Sequence, residues 1–135
     1  MNDSILDTLP AGLPPLERAR RMQAEAARVG FDWPDAMSML EKVREEMDEL
    51  ADACGRRDAD ALAEEIGDLF FVLVNLARFE GLGAGACLGE ACDKFERRFR
   101  AMEQALGDEG KTMRGQTPEA LDALWKTVKR AERRR

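Results

Sequence analysis

The chain has 135 residues, 44% of them hydrophobic and 36% charged, with a net charge of −6 and neither histidine nor tyrosine. This length buries one core comfortably but not two, and the apolar share excludes a disordered chain. Without histidine, carboxylates must carry any acid–base or metal chemistry, and the negative balance argues against a duplex nucleic-acid partner.

The N-terminal Met1-Asn2-Asp3-Ser4-Ile5-Leu6-Asp7 lacks the basic and apolar regions of a leader. No apolar run approaches the ~20 residues that span a bilayer. The expectation is a cytoplasmic protein with no membrane partner. Cys54, Cys87 and Cys92 have neither C-x-x-C spacing nor histidine partners, so they read as small core residues rather than a zinc site or disulfide framework. Charge is polarised along the chain. Residues 41–68 hold eleven acidic and four basic side chains, whereas residues 94–135 hold twelve basic and seven acidic. An acidic centre suits divalent cations and a basic C-terminal third suits anions such as phosphates, although solvated faces are the ordinary reading of charge runs.

In chain order, Pro14-Pro15 opens a helical pattern through Leu16, Ala19, Met22, Ala26 and Val29 that stops at Gly30. Phe31-Asp32-Trp33-Pro34 is an aromatic turn. A second helix, from about Pro34 to Cys54, is apolar at Met39/Leu40, Val43, Met47 and Leu50/Ala51 and ends at Gly55. Asp58 caps a third, whose run Leu69-Phe70-Phe71-Val72-Leu73-Val74 is apolar on nearly every side and predicts a central, buried helix ending near Gly81. A fourth runs from about Gly85 to Leu106 with Leu88, Phe95, Phe99 and Met102 at helical spacing. Thr117-Pro118-Glu119 starts a fifth, through Leu121, Leu124/Trp125 and Val128. No segment alternates with period two. The predicted fold class is all-α, an antiparallel bundle of about five helices in which sequence neighbours are spatial neighbours. Because Phe71 and Val74 lie opposite Leu69 and Leu73, both sides of the third helix need cover, which predicts completion by dimerisation.

Two carboxylate pairs stand out. Glu46 and Glu49 are three apart on the second helix, and Glu65 and Asp68 three apart on the third; such residues share a face about 5–6 Å apart. Helical geometry places Glu65 on the apolar face of its helix and Glu46 at the shoulder of its own, with Glu49 just outside. An ionised carboxylate facing the core needs a cation or hydrogen bonds. An oxygen-only donor set favours Mg²⁺ or Mn²⁺ over zinc. The bland alternative, a core-facing Lys or Arg pairing with Glu46 and Glu65, stays open. Lys94 and Arg98, four apart, can clamp phosphates. Phe31 and Trp33 can stack on a base or anchor the helix start. Asn75 is a candidate hydrogen-bonder to base or sugar, or an ordinary structural asparagine. Trp125 reads as core packing.

Glu45-Glu46-x-x-Glu49, fifteen intervening residues and then Glu65-x-x-Asp68 resembles the defining motif of the all-α nucleoside triphosphate pyrophosphohydrolases. The flanks Val29-Gly30-Phe31-Asp32-Trp33-Pro34, Val74-Asn75-Leu76-Ala77-Arg78 and Lys94-Phe95-Glu96-Arg97-Arg98-Phe99-Arg100 are similar to the C-terminal half of MazG proteins, from about Leu13 to Arg130. Residues 1–12 and 132–135 are then expected to be tails around a single helical domain, 13–131. Members of the family carry two tandem copies, so this is a stand-alone version or one half of a longer chain.

The resemblance implies Mg²⁺-dependent hydrolysis of ribo- or deoxyribonucleoside triphosphates to the monophosphate and pyrophosphate, as house-cleaning or pool control, by a homodimer. It implies metal ligation by Glu46, Glu49, Glu65 and Asp68, with Mn²⁺ as a substitute ion, and phosphate contacts from Lys94 and Arg98. Trp125 and Lys129 match family positions near the nucleotide, and Glu45 sits where it can orient or deprotonate the attacking water beside Glu46. A narrower relative acting on dUTP, dCTP or phosphoribosyl-ATP shares the motif. A non-catalytic helical interaction or metal-binding module is the third alternative.

Overall fold

The computed structural model describes residues 3–134, which form helices and connecting turns without a strand. The outermost residues of both expected tails, 1–2 and 135, lie outside the described residues. A 3₁₀ turn, Ile5–Thr8, precedes α1 (Pro15–Arg28), α2 (Ala36–Arg56), α3 (Ala59–Phe79), α4 (Ala84–Asp108) and α5 (Pro118–Arg133). The helices form two compact units, Met1–Cys87 and Leu88–Arg135. No single helix among the described residues is long and apolar enough to cross a membrane.

Helix starts follow their caps. Asp35 Oδ1 accepts from the Ser38 amide at 2.7 Å, Asp58 Oδ1 from Ala61 at 3.1 Å and Thr117 Oγ1 from Ala120 at 3.1 Å. Each satisfies an amide that the first helical turn leaves without a partner. The second helix therefore begins after Asp35 rather than at Pro34. It runs through Gly55 and ends where Arg57 turns left-handed, at φ 52° and ψ 38°. Glycine inside a helix only lowers its propensity, whereas the left-handed residue stops it.

In the first unit α2 and α3 pack side by side, and α1 packs on α3, not on α2. The expected pairing of α1 with α2 does not form, and α1 instead buries part of the surface of α3. Met39, Ala53, Val72 and Val74 form this unit's buried apolar core. In the second unit the buried positions are Met102 and Leu106.

Two further expectations are corrected. Cys54, Cys87 and Cys92 are free and exposed, not core residues. On α3 only Val72 and Val74 are buried, while Ile66, Phe70, Phe71 and Leu73 remain between 41% and 60% exposed. A helix apolar all round has more surface than two neighbouring helices can cover.

Candidate metal centre and nucleotide pocket

The α2–α3 connection is only Arg57 and Asp58, so the two helices form a tight antiparallel hairpin. Counting outward from Arg57, Glu49 and Glu65 are each about eight residues away, on the order of 12 Å along their helices. Glu46 and Asp68 are likewise at matching heights. Equal counts bring the two sequence motifs level across the hairpin.

Carboxylate oxygens of Glu46, Glu49 and Glu65 lie within 4.8 Å of one another. Glu46 is buried, at 4% exposure, Glu65 is half-buried and Glu49 is exposed. The sequence placed Glu65 deeper than Glu46, and the packed hairpin reverses that order. Asp68 is exposed and is not part of this triad, but it lines the adjoining pocket with Glu46. Glu45 points largely to solvent, with Lys42 Nζ at 3.7 Å.

The buried atoms Glu46 Oε2 and Glu65 Oε2 have no hydrogen-bond partner. A shared hydrogen bond with Glu46, then burial, then the nearby Glu49 push the Glu65 carboxyl up to about 7. The Glu46 carboxyl is held below its ordinary range, first by its hydrogen bond to Lys42 and then by the one with Glu65. The two carboxyls are thus pushed in opposite directions, Glu65 up and Glu46 down. Orphaned buried oxygens and an all-oxygen donor set fit a hard divalent cation.

Lys42 was missed in the sequence reading. Its Nζ lies 3.0 Å from Glu46 Oε1, one turn back on α2. The signal was available, since Lys42 and Glu46 are an i,i+4 pair. Pairing with a lysine and holding a cation are thus combined at Glu46.

Beside the triad is a pocket of about 700 Å³, lined in part by Phe31, Trp33, Glu46, Asp68, Phe71 and Asn75. Phe31 is 82% exposed and Trp33 half-buried, so the aromatic turn presents open ring surface rather than core anchors. Arg78 ties this turn down by donating to Asn75 Oδ1 at 2.8 Å and to Asp32 Oδ1 at 2.5 Å. Asn75 Oδ1 is thereby occupied, which leaves its amide nitrogen as the donor end. Gln23, also in the pocket wall, is buried; its Nε2 donates to the Phe71 carbonyl at 2.9 Å and its Oε1 has no partner. Gln23 was absent from the sequence candidates because a glutamine on an amphipathic helix carries no spacing signal.

The second unit holds Lys94, Arg98, Trp125 and Lys129. The Arg98 guanidinium lies over the Trp125 ring, 5.6 Å from its centroid, and Phe95 packs against the same indole. Lys94 is exposed and Lys129 half-buried. Glu132, which no motif singled out, accepts from Arg98 Nε at 2.8 Å and from Arg97 Nε at 3.1 Å. Those bonds, that to Arg98 first, hold the Glu132 carboxyl below its ordinary range.

The described residues thus combine an all-α fold with an acidic cluster on a helical hairpin, beside an aromatic-walled pocket. A family model for the MazG nucleotide pyrophosphohydrolase domain matches residues 35–102, and the chain belongs to that family. It is 43% identical over 131 residues to a nucleoside triphosphate pyrophosphohydrolase of Escherichia coli (strain K12), covering 96% of this chain and 50% of the relative. A nucleoside triphosphate pyrophosphohydrolase/pyrophosphatase MazG of Thermotoga maritima is 40% identical over 117 residues, covering 87% of this chain and 45% of its own length. The chain thus spans about half the length of these curated relatives.

Proposed function

We propose that this chain hydrolyses nucleoside triphosphates to the monophosphate and pyrophosphate with Mg²⁺, or Mn²⁺ as a substitute, as a homodimer in the cytoplasm. The observation that carries the reading is the convergence of Glu46, Glu49 and Glu65 with two unpartnered buried oxygens, in a chain of the MazG family.

Glu46, Glu49 and Glu65 would hold the cation, with Asp68 at the pocket side of the same hairpin face. When bound, the cation neutralises charge on the triphosphate and acidifies water. Glu45, exposed beside Glu46, orients the attacking water and accepts its proton. Phe31 and Trp33 offer ring faces to the base, and the Asn75 amide donates to base or sugar. In the second unit, taken by itself, the family resemblance gives Lys94 and Arg98 a phosphate-binding role and Trp125 and Lys129 a nucleotide-binding one.

The test is a panel of ribo- and deoxyribonucleoside triphosphates with Mg²⁺, scored for pyrophosphate, comparing the native chain with Glu49→Gln. Pyrophosphate release that collapses in the variant is expected. No product from any nucleotide sinks the reading, and product undiminished in Glu49→Gln removes the metal assignment.

A further inference from the structure

On α5, Trp125, Lys129 and Glu132 fall at i, i+4 and i+7, so they form one stripe. Arg98 of α4 meets this stripe at two points. Its ring-stacked face is covered by Trp125, and its Nε donates to Glu132 Oε2. The second oxygen of Glu132 is taken by Arg97. Among the described residues neither terminal nitrogen of Arg98 makes a hydrogen bond. A guanidinium is a planar fork, so fixing Nε and one face fixes the plane and leaves the two terminal nitrogens as an end-on pair of donors.

Two guanidinium groups against one carboxylate leave the cluster at net +1. Arg97 thereby offsets a charge that would otherwise cancel Arg98. The Arg98 side chain is only 17% exposed, and Glu132 is 25% exposed. A partly desolvated anchor of this kind holds one geometry better than an exposed pair does.

We infer that Glu132 is a positioning residue that aims the terminal nitrogens of Arg98 at a polyphosphate oxygen pair, with Arg97 preserving the positive charge of the cluster. This rests on the proposed function only through the phosphate role of Arg98. A carboxylate beside a phosphate-binding arginine ordinarily weakens anion binding, so the inference predicts the opposite of what charge alone predicts.

The experiment measures inorganic tripolyphosphate binding by calorimetry in excess Mg²⁺, and KM and kcat for one nucleoside triphosphate. It uses the full chain as native, Glu132→Ala, Glu132→Gln, Arg98→Ala and the Arg98→Ala/Glu132→Ala double variant, each checked by thermal unfolding. Glu132→Ala is expected to weaken tripolyphosphate binding roughly tenfold, the scale of one charge-assisted hydrogen bond, and to raise KM more than it lowers kcat. Glu132→Gln, which keeps an acceptor for Nε, restores part of the loss. In the Arg98→Ala background the Glu132 effect disappears, because it acts through Arg98.

Binding unchanged or tightened in Glu132→Ala and Glu132→Gln overturns the inference, as does full additivity in the double variant. A native chain that fails to bind tripolyphosphate overturns it too. Tripolyphosphate binding with this pattern, but no hydrolysis of any nucleotide, refutes the hydrolase reading and leaves the inference standing.

Discussion

Lys42 Nζ lies 3.0 Å from Glu46 Oε1 and holds the most buried carboxylate of the acidic cluster ionised. An ammonium there performs part of the work of a divalent cation while the other Glu46 oxygen stays without a partner. Lys42→Met therefore separates the two contributions. It strands the buried Glu46 charge without its ammonium partner. In chelator the melting temperature should fall by several degrees. Saturating Mg²⁺ should recover more in the variant than in the native chain, because one positive neighbour is gone. Equal Mg²⁺-induced shifts in the two proteins would show that Lys42 does not share the site.

Glu65 supplies a pH signature. Its carboxyl stands at about 7 in the folded chain against an ordinary 4.5, with the Glu46 hydrogen bond as the first cause. The folded state then binds the proton more tightly than the unfolded state. This contribution to stability is fully present below about pH 4.5 and is lost as pH rises through about 7. In chelator, thermal stability should decline across that window, and Glu65→Gln should flatten the decline. Mg²⁺ binding below pH 7 should release a proton, visible as a buffer-dependent heat in calorimetry. A native profile in chelator that is flat from pH 4.5 to 7 would rule out the shared proton.

Phe31 tests the pocket. At 82% exposure it contributes little to folding, so Phe31→Ala should leave the melting temperature within about 0.5 kcal/mol equivalence. If its ring stacks on a base, KM should rise roughly tenfold, within the ~1–3 kcal/mol range for base–aromatic stacking. An unchanged KM for every nucleotide tested would remove Phe31 from the substrate contacts.

The helix starts and the carboxylate pairs were readable because their signals are local. Asp58, Thr117 and Pro118 announce caps within four residues, and Glu46/Glu49 and Glu65/Asp68 share helical faces by spacing alone. The depth order of Glu46 and Glu65 was not readable, because it depends on how closely α2 and α3 pack around the Arg57–Asp58 link. Gln23 and Glu132 were hidden for a related reason: each acts through a partner more than thirty positions away. The packing of α1 on α3 was equally unavailable, since it rests on contacts between segments distant in sequence, such as Gln23 with the Phe71 carbonyl.

The last prediction concerns α3. Ile66, Phe70 and Leu73 fall at i, i+4 and i+7 and remain 41%, 60% and 45% exposed, an apolar stripe of the kind that marks an interface. A helix so apolar is stable in water only if this stripe is covered, and a second copy of the chain presents an identical stripe to cover it. Size-exclusion chromatography with light scattering should give a dimer at micromolar concentration. Phe70→Glu places a charge in the stripe, at a position that is itself 60% exposed although one turn from the buried Val74, and should shift the chain to monomer while helicity by circular dichroism is retained. A native monomer, or a Phe70→Glu dimer of unchanged affinity, would move the interface elsewhere.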